Sequence, residues 1–85
     1  MYFTGGQVVQ QFHITVRSFG QIKDFVALAM VQPFPVLVGN DKQQVNGKSF
    51  IGMFSLDFSE PLMVTANCDE NQFDQFCRQV TALFQ

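Results

Sequence analysis

Val45-Asn46-Gly47-Lys48-Ser49-Phe50-Ile51-Gly52-Met53-Phe54-Ser55-Leu56 is the stretch on which the fold turns. Asn46-Gly47 is turn chemistry, so Val45 closes a strand there. Ser49 is a residue type that caps helices, because its hydroxyl can accept a free backbone N–H of the first turn. The run Ser49 to Leu56 is dense in apolar side chains but too short for a long helix. Gly52 weakens it further, by about 1 kcal/mol relative to Ala. The stretch therefore predicts a helix of one or two turns, entered from a tight turn at the end of a strand.

Working back from it, Lys42 to Val45 reads as a strand, and Gly39-Asn40-Asp41 as the turn before it. Val36-Leu37-Val38, β-branched and apolar, is the partner strand of that hairpin. Pro33 and Pro35 end whatever helix precedes them, since the residue before each is pushed to extended geometry. Ile22, Phe25, Val26, Ala29 and Met30 recur at helical spacing and predict a helix with one buried stripe. Lys23, Asp24 and Ala27 fall off that stripe. Ser18 to Gly20 is a break. Before it, Gln7 to Val16 reads as a strand in which Phe12, Ile14 and Val16 alternate with His13, Thr15 and Arg17. Residues 1–6, with Gly5-Gly6, read as a loose start.

Working forward, Pro61 precedes the strand Leu62 to Ala66. Asp69 and Gln72 have capping-box spacing. Phe73, Phe76, Cys77, Val80 and Phe84 then line one helical face. The order is β-α-β-β-α-β-α. The short turn between the middle strands forbids an all-parallel sheet. An α+β sandwich follows: a four-stranded antiparallel sheet with three helices on one face and the other face wet.

Composition bounds the function. The chain has 85 residues, eleven of them Phe, with one Tyr and no Trp. One domain over 1–85 is the expected count, burying about 60–65% of its unfolded surface. There is little room for an internal cofactor, and none is expected; function should lie on the surface. The net charge is −2, and the five cations are scattered, so nucleic acid is not an expected partner. No signal peptide is legible, and the apolar run Phe25 to Val31 is too short to insert in a membrane. A soluble cytoplasmic protein with two reduced thiols, Cys68 and Cys77, is expected. With one histidine, His13, on the polar side of a strand, no metal site is expected. Cys77 is on an apolar stripe and should be buried, whereas Cys68 is beside a helix start that can lower a thiol pKa. No Walker or nucleophile-elbow motif occurs, so no enzyme activity is expected.

The Lys48-Ser49 pair, followed by apolar pairs, Gly52 and Ser55-Leu56, resembles the regulatory segment of the phosphocarrier protein HPr family. The element order over about residues 7 to 84, the helix residues Phe25-Val26 and Ala29, and the strand Val64-Thr65-Ala66 fit the same resemblance. It implies an HPr-like open-faced sandwich of the bacterial phosphotransferase system type. In that family a histidine opening the first helix, in a Gly-x-His-x-Arg-Pro type motif, relays phosphoryl groups. A serine opening the short second helix is phosphorylated by a dedicated kinase.

Here the histidine position falls near Ser18, followed by Phe19-Gly20-Gln21, and no Arg-Pro follows. The expectation is thus a regulatory or adaptor domain, not competent for histidine phosphotransfer. Ser49 is the expected regulatory phosphorylation site. Phe50, Ile51 and Phe54 cannot all share one core with Met53 and Leu56 on so short a helix. The resemblance makes them, with Lys48, the expected surface for protein partners. Two alternatives stand beside this reading: a phosphocarrier of the phosphoenolpyruvate-dependent sugar phosphotransferase system, and a purely structural interaction domain.

Overall fold

A computed structural model describes residues 8–84. The expected loose start at residues 1–6, and Gln7 at the head of the first strand, lie outside the described residues. The elements run β1 (Val8–Ile14), α1 (Phe19–Met30), β2 (Val36–Gly39), β3 (Gln44–Asn46), α2 (Phe50–Phe54), β4 (Leu62–Cys68) and α3 (Glu70–Leu83). All pairings are antiparallel, and the strand order is β1-β4-β2-β3. The outer β1 and the inner β2 thus flank β4, the last strand in the chain.

One face of the sheet is apolar throughout. Ile14, Val36, Val38, Leu62, Val64, Ala66 and Cys68 are all buried there, against Ile22, Phe25, Val26 and Ala29 of α1, Met53 of α2, and Phe76 and Val80 of α3. Directly opposed residues share a face, so Ile14 beside Leu62, and Val38 beside Val64, continue one apolar surface across three strands. Gln11, His13, Gln44 and Asn67 lie on the opposite, exposed face. The helices therefore all cover one side, as the alternation of β1 requires.

Phe76 is the hub of the core. Its ring meets Phe34 edge-on at 5.5 Å, Phe12 at 6.0 Å and Phe25 at 6.2 Å. Such pairs contribute about 0.5–1.5 kcal/mol each beyond the area they bury. The capping box of α3 forms as its spacing predicts: Gln72 N donates to Asp69 Oδ1 at 2.7 Å, and Asp69 N donates to Gln72 Oε1 at 3.2 Å.

Several boundaries differ from the sequence expectation. β1 leaves the ladder at Ile14 instead of Val16, though Val16 remains buried under the helices. α1 begins at Phe19, so Phe19 and Gly20 are helical and only Ser18 remains of the expected break. Met30 is exposed although Ala29 beside it in the same turn is buried, because it stands at the margin of the helical stripe, where the last turn faces away from the sheet. β3 starts at Gln44, not Lys42. Asn40 causes this: its Oδ1 accepts from Lys42 N at 2.8 Å and Gln43 N at 3.0 Å, folding both into the turn. Gly39 lets the hairpin close so tightly, since a Cβ there would stand 2.5 Å from the Gln43 carbonyl oxygen. β4 runs on to Cys68, two residues past the expected end. That extension reverses the cysteines. Cys68 is fully buried in the sheet, and Cys77 is only half-buried. Burial raises the Cys68 thiol pKa, and the adjacent Asp69 adds to the rise, contrary to the expected lowering at a helix start.

Candidate functional site

The turn from β3 into α2 is built by its own side chains. Asn46 Oδ1 accepts from Lys48 N at 2.9 Å, and Ser49 N donates to the Asn46 carbonyl at 3.1 Å. Ser49 is the N-cap of α2, in extended backbone geometry, and its Oγ accepts from Gly52 N at 3.2 Å. Gly52 is also a point of close approach: a Cβ there would stand 3.3 Å from Val45 Cβ. The short helix thus lies tightly on β3. Met53 and Leu56 fill the core from it.

Phe50, Ile51 and Phe54 are left on the outer side, at 38%, 81% and 43% exposure. Leaving large apolar groups in water at adjacent positions is what marks a contact surface on a small protein. They are not isolated. Phe50 and Phe54 pack at 6.2 Å, Phe54 meets Phe19 edge-on at 5.4 Å, and Phe19 meets Phe58 edge-on at 5.2 Å. A chain of four rings therefore runs from α2 across the start of α1 to the loop before β4. Phe19 is itself 62% exposed. Phe19 and Phe58 were not singled out by the sequence reading. No local signal marks Phe19 as exposed, since it lies three and seven residues before Ile22 and Val26, at the spacing of the buried stripe of α1.

α1 and α2 lie antiparallel. The start of α1 meets the end of α2 through Phe19 and Phe54. The other ends meet where Lys48 Nζ donates to the Gln32 carbonyl at 2.9 Å. The ammonium of Lys48 is thereby committed to the chain leaving α1, and it makes no hydrogen bond to Ser49.

Ser18 caps α1, accepting from Gln21 N at 3.3 Å, while Gln21 Oε1 accepts from Arg17 N at 2.7 Å. His13 is elsewhere. It stands on β1, exposed on the wet face, in a groove also lined by Gln11, Asn40, Lys42 and Met63. There it has no helix N-terminus beside it on its own strand. The structure therefore gathers Lys48, Ser49, Phe50, Ile51 and Phe54 at one end of the helical layer, with Phe19 and Phe58 added. His13 lies on the other side of the sheet. Among the described residues no helix is long and apolar enough to cross a membrane.

No family model matches the chain, and no curated protein matches it. A solved structure does: the crystal structure of a phosphocarrier protein HPr from Bacillus anthracis str. Ames, with a TM-score of 0.70 and 18% sequence identity. The match covers 91% of this chain and 98% of that one. The fold is accordingly HPr-like.

Proposed function

We propose that this is an HPr-like adaptor or regulatory domain that docks protein partners through Phe50, Ile51 and Phe54, with Phe19 extending the patch. The exposed aromatic chain headed by the cap serine carries this reading. A domain of this size gains stability by covering phenylalanine, so three linked, exposed rings, Phe19, Phe50 and Phe54, fit a partner better than they fit folding. Ser49 sits at the head of that patch and is the proposed switch. A phosphate on its Oγ would add about −1.5 to −2 charges beside the free N–H groups of the first turn of α2. Charge there is tolerated locally, while the neighbouring apolar surface becomes harder to desolvate. Lys48 would have to leave Gln32 to join it.

The domain is proposed not to relay phosphate through histidine. A phosphohistidine needs donors around the anion, and a helix start supplies them. The only histidine, His13, stands on an exposed strand face. The second reading, a phosphocarrier, is favoured by the likeness to a phosphocarrier protein HPr, and it would have to use His13.

Both arms are testable on the same protein. With ATP and the serine kinase that acts on HPr proteins, mass spectrometry should find phosphate on Ser49 and on neither Ser18 nor Ser55, and Ser49→Ala should abolish it. With phosphoenolpyruvate and Enzyme I, no acid-labile phosphate should appear. Acid-labile label on His13 would replace this proposal with the phosphocarrier reading.

A further inference from the structure

The two edges of the sheet are finished differently. β3 is three residues long, and its outer side is partly used: the Asn46 carbonyl accepts from Ser49 N. β1 is seven residues long and stands at the other end of the strand order, with no strand beyond it among the described residues. Native edges are usually blunted by shortness, by proline, by a bulge or by a lysine. Val8-Val9-Gln10-Gln11-Phe12-His13-Ile14 has no proline and no Lys, Arg, Asp or Glu, and it pairs with β4 without a bulge.

The hydrogen-bond register fixes which groups the open edge presents. Asn67 N donates to the Pro35 carbonyl, so Asn67, Thr65 and Met63 direct their main-chain groups toward β2. Alternation then turns Cys68, Ala66, Val64 and Leu62 toward β1, where they oppose Val8, Gln10, Phe12 and Ile14. The donors and acceptors of Val9, Gln11 and His13 therefore point outward, away from the sheet. Gly47 N donating to the Val36 carbonyl, on the far side of β2, agrees with the same phase.

We infer that this edge is a self-association surface, on which β1 of a second copy of the chain adds antiparallel. The three outward residues are symmetric about Gln11. A two-fold axis there sets Gln11 opposite Gln11 and Val9 opposite His13 in both directions. Each of these pairs exchanges two N–H···O bonds, so every outward group is satisfied at once. A two-fold contact needs just such a self-complementary patch. No ionised carboxylate or lysine on the strand meets its own copy across the junction. The exposed side chain of Val9, 60% accessible, gains the imidazole of His13 as a neighbour. The product is a continuous eight-stranded sheet, with the patch on α2 free in each copy.

Sedimentation of the full chain from micromolar to millimolar concentration tests this, together with amide hydrogen exchange. A concentration-dependent dimer is expected, with the amides of Val9, Gln11 and His13 slowed as it forms. Gln11→Lys, which brings two like charges together at the axis, should weaken the dimer by up to about fivefold, as like charges opposed on a ladder repel. Gln11→Pro, which deletes the central donor on a solvent-facing edge, should abolish it. If one of these variants unfolds by circular dichroism, the other decides. A monomer at all concentrations with these three amides in fast exchange overturns the inference. So does a dimer that survives both substitutions. Protection of the three amides in a monomer would also overturn it, by assigning the edge to residues 1–7 of the same chain.

Discussion

Two groups of phenylalanine, chemically identical, meet opposite fates in this molecule. Phe12, Phe25, Phe34, Phe73, Phe76 and Phe84 form a linked set around Phe76, beneath α3 and against the sheet. Phe19, Phe50 and Phe54 form a second linked set at the surface, where α1 begins and α2 ends, joined through Phe19 to the partly buried Phe58. The first set touches the sheet and is sealed by a fourteen-residue helix. In the second, Phe50 and Phe54 stand on a helix of five residues whose buried side chain is Met53, Phe19 opens α1, and Phe58 lies in the loop before β4. The difference teaches that phenylalanine content alone does not distinguish buried rings from exposed ones. What lies beneath each ring and which side of its element it occupies decide that: Phe19 is exposed on a twelve-residue helix, and Phe34 is buried in a loop.

The strongest way to break the comparison is to truncate the hub of each set. Phe76→Ala should cost about 3–5 kcal/mol, as removal of a fully buried ring does. Small domains have about 5–15 kcal/mol in total, so the urea midpoint should fall by at least about a fifth, and at the low end of that range the fold should be lost. Phe54→Ala removes a half-exposed ring and its edge-on contact with Phe19. With its contact to Phe50 also lost, it should cost about 1–3 kcal/mol, the range of two aromatic pairs, and less than Phe76→Ala. If the two variants lost similar stability, the surface set would be core and the docking proposal would lose its basis.

Ile51 sharpens the contrast further, being the most exposed large apolar side chain of α2. Ile51→Ser should change the unfolding free energy by less than about 0.5 kcal/mol, as substitutions away from packed contacts do. A larger loss in a denaturant titration would mean that Ile51 packs against something in the folded state.

The cysteines report on the same boundary with almost no energetic effect. Iodoacetamide should label Cys77 in the folded protein and reach Cys68 only on unfolding, as peptide mapping would show. Cys68 also sets a sign for pH. Its folded pKa is raised by burial and by Asp69, so the neutral thiol is the form the fold prefers. That contribution is whole below the ordinary thiol pKa, about 8.5, and is lost as pH rises from there toward the folded value. Urea midpoints should therefore decline above that range, and Cys68→Ala should flatten the decline.

Most of the fold was legible because its signals were local. Alternation in β1, helical spacing from Ile22 to Ala29, and the Asp69–Gln72 box each depend on residues within one or two turns of each other. The errors came where a neighbour in space decided the outcome. Cys68 is buried because β4 is the inner strand between β1 and β2, a placement no periodicity within residues 62–68 encodes. Cys77 is half-exposed because Phe76 and Val80 already fill the inner face of α3. Elimination said only that so short a helix cannot turn all of its apolar residues inward; it was the resemblance to HPr that pointed to Phe50, Ile51 and Phe54, and these are exposed. Phe19 was not legible, since its exposure depends on where α2 ends relative to α1. Neither was the hold of Gln32 on Lys48, a contact between residues sixteen apart.

The rate at which an HPr serine kinase and ATP place phosphate on Ser49 tests the central claim most directly. It should be compared between the natural chain and the triple variant Phe50→Ser, Ile51→Ser, Phe54→Ser, with circular dichroism confirming that both are folded. The account predicts phosphate on Ser49 in the natural chain and at least about a tenfold slower reaction in the triple variant, the loss that about 1.4 kcal/mol of docking energy represents. Equal rates in the two proteins, or no phosphate on Ser49 in either, would contradict it.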